Sequence, residues 1–122
     1  MIEKNEFRND LKKQLHIVEI PVNDGIIFIK PQDVIRVEAS GSYSVFYLEN
    51  NVRHTVSRNL KECERLLDTP FLYRSHASHL INLKKVDKMV STDGLFAKMK
   101  DGSLADISKR NKEDFLDRLK HL

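Results

Sequence analysis

One segment of the sequence, residues 71–86, holds an unusual density of side chains that can bind metals, phosphates or bases. Arg74, His76, Ser78 and His79 lie at its centre, a pair of lysines follows, and no carboxylate falls within it. A buried strand rarely carries so many hydrogen-bond donors and cations. A surface that meets phosphates and base edges would carry them, so the segment points to binding chemistry.

The spacing His76-x-x-His79 suggests a metal site, because imidazoles are common ligands of transition metals. A three-residue step would bring both rings to one face of a helix. The surrounding pattern indicates a strand or loop, however, and an odd spacing along a strand points the rings to opposite sides. No third ligand appears at a suitable spacing, and Cys63 lies elsewhere. We therefore expect no metal or other cofactor, with one histidine hydrogen-bonded inside and the other exposed.

Serine catalysis is a second chemistry for this segment, since Ser75 and Ser78 flank His76. A triad is defined by geometry rather than by adjacency, and the chain has no G-x-S-x-G nucleophile elbow. It also has no P-loop and no G-x-G-x-x-G pattern, and its 4 glycines fall in predicted turns. We expect that the protein is not an enzyme; catalysis would require a buried, mutually bonded Ser–His pair.

Nucleic-acid contact is the third chemistry, and it involves three polar segments between apolar strands: residues 40–44, residues 74–85 and residues 108–112. In the last of them, cations occupy the predicted first turn of a helix, where they oppose the helix dipole. Such a placement is tolerated when the cations have an anionic partner, and helix N-termini also bind phosphate. A solvated basic patch explains these residues equally well. Tyr43 and Tyr73 are open candidates for base stacking.

Composition and charge limit the classes of protein to which the chain can belong. The chain has 122 residues, enough for one domain, and its net charge of +3 permits nucleic-acid binding without requiring it. Its single cysteine excludes an internal disulfide and favours a reducing compartment. No apolar run approaches the ~20 residues of a membrane span, and the first residues lack the apolar stretch of a signal peptide. We expect a cytoplasmic protein with no membrane partner.

Short strands separated by turns predict a mainly β protein. The expected strands are residues 17–22, 26–29, 34–39, 43–48, 52–56, 86–90, 95–99 and 104–107. An apolar stripe predicts an N-terminal linker or docking helix within residues 1–17. A short middle helix with Ser57 as N-cap and a C-terminal helix with Ser108 as N-cap complete the expected elements, and residues 18–122 form the domain.

Several spaced motifs, found in the same order, resemble the LytTR-type DNA-binding domain of bacterial response regulators. The matching stretches are residues 33–39, 41–45, 56–62, 71–86 and 107–110. Within residues 71–86, the positions that fit the family signature are Phe71, Arg74, His76, Ser78, Ile81, Asn82, Leu83 and Val86. The resemblance implies an elongated arrangement of short antiparallel sheets with a short middle helix and a C-terminal helix.

The resemblance also implies a function: a transcriptional regulator that binds duplex DNA sequence-specifically. Its loops would enter successive major grooves, usually at direct-repeat sites, and bend the DNA. The DNA-binding residues that it implies are Ser42, Tyr43, Ser44, Arg58, Arg74, His76, Ala77, Lys85, Lys109 and Arg110. Of these, Arg58, Arg74 and Lys85 would contact phosphates.

Two of these residues depart from the family pattern. Ala77 stands where many relatives have a polar residue, so it can offer a base only an apolar contact, for example with a thymine methyl. Lys109 stands where arginine is common; lysine keeps the charge but cannot grip guanine with two parallel bonds.

In such regulators the DNA-binding domain usually follows a phosphorylatable receiver domain, which residues 1–16 are too few to form. We therefore expect either a piece of a longer two-component response regulator, coupled to a histidine kinase, or a standalone regulator. A homodimer on DNA is compatible with both. The alternative is a protein-interaction or sensory β-domain that uses the same polar loops on an acidic partner.

Overall fold

The computed structural model describes residues 16–122, so the helix expected within residues 1–17 lies almost wholly outside the described part. The described strands are β1 (Val18–Val22), β2 (Gly25–Ile29), β3 (Val34–Ser40), β4 (Tyr43–Leu48), β5 (Arg53–Val56), β6 (Leu72–His76), β7 (His79–Asn82), β8 (Val86–Val90), β9 (Phe96–Met99) and β10 (Leu104–Asp106). The two α-helices are α1 (Leu60–Leu67) and α2 (Lys112–Lys120), and the 3-10 turns are Pro31–Asp33, Glu49–Asn51, Leu83–Lys85 and Lys109–Asn111.

The strands form three antiparallel sheets. β1 and β2 make a hairpin, five strands pair in the order β5-β4-β3-β7-β6, and three pair in the order β10-β9-β8. The mainly β fold with short antiparallel sheets, a short middle helix and a C-terminal helix is confirmed. The strands over residues 43–48 and 86–90 agree with their predicted bounds, and the other predicted strands each differ by one residue at one end. Strands β6 and β7 lie in residues 71–86, for which no separate strands were predicted.

The five-stranded sheet separates two hydrophobic cores. Neighbouring side chains of a strand point to opposite faces, so Leu80 of β7 lies in the first core while Ile81 lies in the second. A bulge in β3 between Val34 and Arg36 places Val34 and Val37 in the same core although they are three residues apart. Both faces of the central strands are therefore buried.

Helix α1 covers the first core with Leu60, Cys63 and Leu67. Its N-cap is Asn59, whose side chain accepts a hydrogen bond from the Glu62 N–H at 2.9 Å, so the prediction of Ser57 as the cap was wrong. Both residues are good caps by type. The helix begins at Leu60, which is buried in the first core, so the cap position falls on Asn59.

Candidate nucleic-acid interface

Two of the three polar segments are neighbouring turns at one end of the five-stranded sheet. Residues 41–42 join β3 to β4, and residues 77–78 join β6 to β7. Because β3 and β7 pair antiparallel with Glu38 opposite His79, both turns project from the same end. The Ala39 N–H donates a hydrogen bond to the Ser78 carbonyl at 2.9 Å, which fixes one turn against the other.

The third segment is bonded to the same end. The Ser108 N–H and the Asn111 side-chain amide both donate to the Ser75 carbonyl, at 2.8 and 3.0 Å. The buried Ser75 hydroxyl donates to the Asp106 carbonyl at 2.8 Å. The 3-10 turn Lys109–Asn111 is thereby held beside β6. Sequence reasoning missed the anchoring role of Asn111, because the bond joins residues 36 positions apart and has no local signal.

Five of the implied DNA-binding residues are exposed at this end: Ser42, Tyr43, Ala77, Lys109 and Arg110. We call this set the turn surface. Tyr43 is 47% exposed, so its ring is a candidate for stacking. Within residues 16–122, the two cations of the set form no ion pair with a carboxylate, so they keep their full capacity for an anionic ligand.

Lys109 and Arg110 lie in the 3-10 turn rather than in the first turn of an α-helix, since α2 begins only at Lys112. The prediction of Ser108 as N-cap of the C-terminal helix was wrong, because the residue before α2 is Asn111. Ser108 instead precedes the 3-10 turn, and within residues 16–122 its side chain makes no capping hydrogen bond. The predicted opposition between these cations and an α-helix dipole is therefore weaker than the sequence suggested, because the effect is confined to the first turn of a helix.

Ser44 does not belong to the turn surface. It follows the exposed Tyr43 on β4, so strand alternation turns it inward, and it is fully buried. Its hydroxyl donates to the Arg58 carbonyl at 2.7 Å. Ser44 therefore supports the segment that leads into α1, and direct contact with DNA is ruled out for this side chain in the observed conformation.

Arg74 lies over the turn that carries Ala77. Its Nε donates to the His76 carbonyl at 3.0 Å, and its Nη2 donates to the Ala77 carbonyl at 2.7 Å. Its Nη1 also lies 3.8 Å from a carboxylate oxygen of Glu64. The guanidinium thus holds the two carbonyls of the turn in place, which is a positioning role that its sequence context did not reveal.

The other two implied phosphate contacts are also paired with carboxylates. Arg58 lies 2.9 Å from Glu62, one turn further along α1. Lys85 lies 2.7 Å from Glu49, which follows the far end of β4. The length of this strand is roughly 17 Å at ~3.3 Å per residue, so Lys85 is at the opposite end of the sheet, and the structure does not bring it to the turn surface.

The two histidines face each other, which the sequence argument did not anticipate. His76 and His79 are cross-strand partners with ring centroids 5.7 Å apart. The expectation that they point to opposite sides was wrong, because the chain reverses at residues 77–78 instead of continuing as one strand. His76 is half-buried, and its Nδ1 accepts a hydrogen bond from the Ser78 N–H at 3.0 Å.

His79 is the inward histidine of the pair. Its side chain is 9% exposed, and its Nδ1 has no hydrogen-bond partner among the described residues. Burial lowers the pKa of His79 below its ordinary value, while the nearby carboxylates of Glu38 and Asp106 act in the opposite direction. The ring is therefore neutral at neutral pH.

The contacts of the serines and of Tyr73 bear on two chemistries considered from the sequence, which are serine catalysis and base stacking. Among residues 16–122 no serine hydroxyl bonds to a histidine ring, so the Ser–His pair that catalysis would require is not formed there. Tyr73 is buried, and its hydroxyl donates to Asp114 at 2.9 Å. Burial and this carboxylate raise the pKa of Tyr73 to about 12. It is therefore not available for base stacking, whereas Tyr43 is.

Three small antiparallel sheets around two cores, with polar turns gathered at one end of the largest sheet, define a mainly β domain. The family model of the LytTr DNA-binding domain matches residues 24–120. The chain belongs to this family of DNA-binding domains, which confirms the resemblance read from the motifs.

A solved structure supports the same fold. It is the LytTr DNA-binding domain of a protein described as a methyl-accepting/DNA response regulator from Bacillus cereus, with a TM-score of 0.68 and 22% sequence identity. The alignment covers 84% of this chain and 95% of that chain. A search of curated proteins finds no match. In the described part of the chain, no helix combines the length and apolarity needed to cross a membrane.

Proposed function

We propose that this domain is a transcriptional regulator that recognises a duplex DNA sequence through the turn surface. The observation that carries the proposal is the set of hydrogen bonds that ties three separate polar segments to one end of a sheet. Ala39 links the first turn to the second, and Ser75 links the second to the third. An isolated basic patch would not require such a scaffold. The membership in a family of DNA-binding domains supports the same function.

The three segments would divide the work of binding. Lys109 and Arg110 have no carboxylate partner in the described part of the chain, so they are suited to neutralise phosphates or, for arginine, to bind a guanine edge. Tyr43 and Ser42 offer a ring and a hydroxyl, and Ala77 offers a methyl group to a thymine methyl. Both turns are two residues long, so they are narrow enough for the ~12 Å major groove. We propose that they enter successive major grooves.

The paired cations would have other roles. Arg74 sets the shape of the turn at Ala77, and Arg58 is a weaker candidate for a phosphate because Glu62 already occupies it. His76 lies at the base of the second turn and would act through that turn. Lys85 and Ser44 are not part of the proposed DNA contact.

We further propose the cellular setting that the family suggests. The domain would work in the bacterial cytoplasm as the output of a two-component response regulator, downstream of a receiver domain and a histidine kinase, or as a standalone regulator. Direct-repeat sites would be occupied by two copies, and each copy would need the same turn surface.

Selection from a pool of random duplexes, followed by fluorescence anisotropy at several salt concentrations, tests the proposal. We expect enrichment of one motif and a plot of log K against log salt with a slope of about −2 or steeper, the value for two or more neutralised phosphates. An acidic polypeptide serves as competitor. Equal binding of that competitor, or a slope near zero, would contradict DNA recognition and favour the protein-interaction alternative.

A further inference from the structure

We propose that His76, His79 and Asp106 form a binding site for a divalent transition-metal ion of the zinc class. Each residue offers one ligand atom, and these atoms all lie within 4.8 Å of one another. The sequence did not reveal the site, because the third ligand comes from β10, 27 residues after His79 in a different sheet. The inference does not rest on the proposed function, since metal binding is measured without DNA.

The donor set suits zinc or a similar ion. Zinc takes imidazole nitrogen and carboxylate oxygen at about 2.0–2.2 Å in a tetrahedron, which puts neighbouring ligand atoms roughly 3.4 Å apart. The His79 Nε2 already lies 3.9 Å from a carboxylate oxygen of Asp106. The Asp106 side chain is 49% exposed, and within residues 16–122 its carboxylate accepts no hydrogen bond, so it is free to move the remaining distance. Three protein ligands would leave the fourth position to water.

A second carboxylate lies where it would orient the buried imidazole. Within residues 16–122 the His79 Nδ1 has no hydrogen-bond partner, and a carboxylate oxygen of Glu38 lies 3.7 Å away. Glu38 is itself held 3.3 Å from Arg36. Histidines that bind a metal through one nitrogen usually donate the other N–H to a carboxylate, which fixes the ring. His79 is positioned for this arrangement, with Asp106 on its Nε2 side and Glu38 on its Nδ1 side, and a shift of the Glu38 carboxylate by ~0.7 Å would bring it to hydrogen-bond distance.

Metal binding would change the second turn. The Nδ1 of His76 uses its lone pair to accept the Ser78 N–H. A neutral imidazole has only one such lone pair. If the metal binds Nδ1, it displaces the hydrogen bond from Ser78. If it binds Nε2, the ring proton moves to Nδ1, and Nδ1 can then no longer accept the Ser78 N–H. Either way the bond from Ser78 is lost, so occupancy of the site is reported by a backbone amide of the turn.

The test is a titration of the untagged chain with Co²⁺, followed by visible absorption, and with Zn²⁺, followed by calorimetry and by the Ser78 amide resonance. We expect one ion per chain, a Co²⁺ spectrum of low coordination number, and a shift of the Ser78 amide that saturates with binding. Asp106→Asn keeps the shape of the third ligand and removes its charge, and we expect at least tenfold weaker binding. Glu38→Gln should weaken it about 10- to 100-fold.

The matched control is the exposed pair of His121 and Asp117, which lie 3.5 Å apart at the end of the C-terminal helix and have no third ligand among residues 16–122. His121→Gln should leave the affinity unchanged. Because neither Asp106→Asn nor Glu38→Gln removes an apolar side chain from a core, circular dichroism should show that both fold. Absence of stoichiometric binding, or equal affinities of Asp106→Asn and the unmodified chain, would overturn the inference. Loss of binding in His121→Gln would overturn it as well.

Discussion

Substitutions of Arg74 can distinguish a phosphate contact from a role in supporting the second turn. The sequence resemblance makes Arg74 a phosphate contact, whereas its hydrogen bonds make it a support for the second turn. Arg74→Lys keeps the charge but loses the planar fork that reaches the carbonyls of His76 and Ala77. If support is its role, Arg74→Lys should weaken DNA binding nearly as much as Arg74→Ala.

The magnitude follows from the two lost bonds. A hydrogen bond from a charged donor contributes about 1.5–3 kcal/mol. The Arg74 side chain is 32% exposed and the bond to Ala77 is solvent-exposed, so about 1–3 kcal/mol for both is a reasonable total. If that energy holds the turn in its binding shape, the affinity of Arg74→Ala for DNA should be lower by roughly 5- to 150-fold.

Fluorescence anisotropy on the selected duplex, repeated across salt concentrations, measures both affinity and salt slope. For a supporting role, Arg74→Lys should lower affinity while the slope stays that of the unmodified chain. Arg65→Lys is the control, since Arg65 is 70% exposed on α1 and lies 3.6 Å from Glu62. If Arg74→Lys binds normally while Arg74→Ala flattens the slope by about 0.9, Arg74 contacts a phosphate and the reasoning from its hydrogen bonds fails.

The remaining predictions concern the turn surface and the cores. Lys109→Ala and Arg110→Ala should each reduce the steepness of log K against log salt by about 0.9. Lys85→Ala, at the far end of the sheet, should leave this slope unchanged. Equal effects of all three variants would contradict DNA binding through the turn surface. Cys63 should resist a thiol reagent in the folded protein, because burial raises its pKa and keeps it protonated; rapid labelling without denaturant would disprove this. Asn82→Ala should lower the free energy of unfolding in urea by about 1–3 kcal/mol, because the fully buried amide donates to the Val34 carbonyl of β3 at 2.8 Å and its removal leaves that carbonyl without this partner. A loss clearly below about 1 kcal/mol would show that this bond matters little.

The strands were predictable because their signals are local. Alternating apolar residues and turn-forming residues such as Asp24 and Gly25 specify a hairpin without reference to the rest of the chain. The turn at residues 77–78 has no such signal, because Ala77 and Ser78 lack the glycine, asparagine or aspartate that two-residue hairpin turns usually contain. Residues 71–86 therefore appeared to be one continuous strand region, and the pairing of His76 with His79 was missed.

The site was only partly predictable for a related reason. Residue type and motif order select Tyr43, Lys109 and Arg110 as candidates, and all three are exposed at one end of the structure. They did not show that Ser44 points inward, nor that Lys85 lies at the far end of the sheet. Both facts depend on strand direction and register, which are set by contacts between residues distant in sequence.

The shared sheet between the two cores makes the domain suitable for division into two complementary fragments. Every member of the first core lies between residues 18 and 80, while the second core also needs Ala97, Met99 and Phe115. A chain broken within the exposed residues 91–94 would give one piece with a complete first core and an uncovered apolar sheet face, and a second piece that fits that face. The first piece carries the two hairpin turns and the second carries Lys109 and Arg110. DNA binding would then report the reassembly of the two pieces.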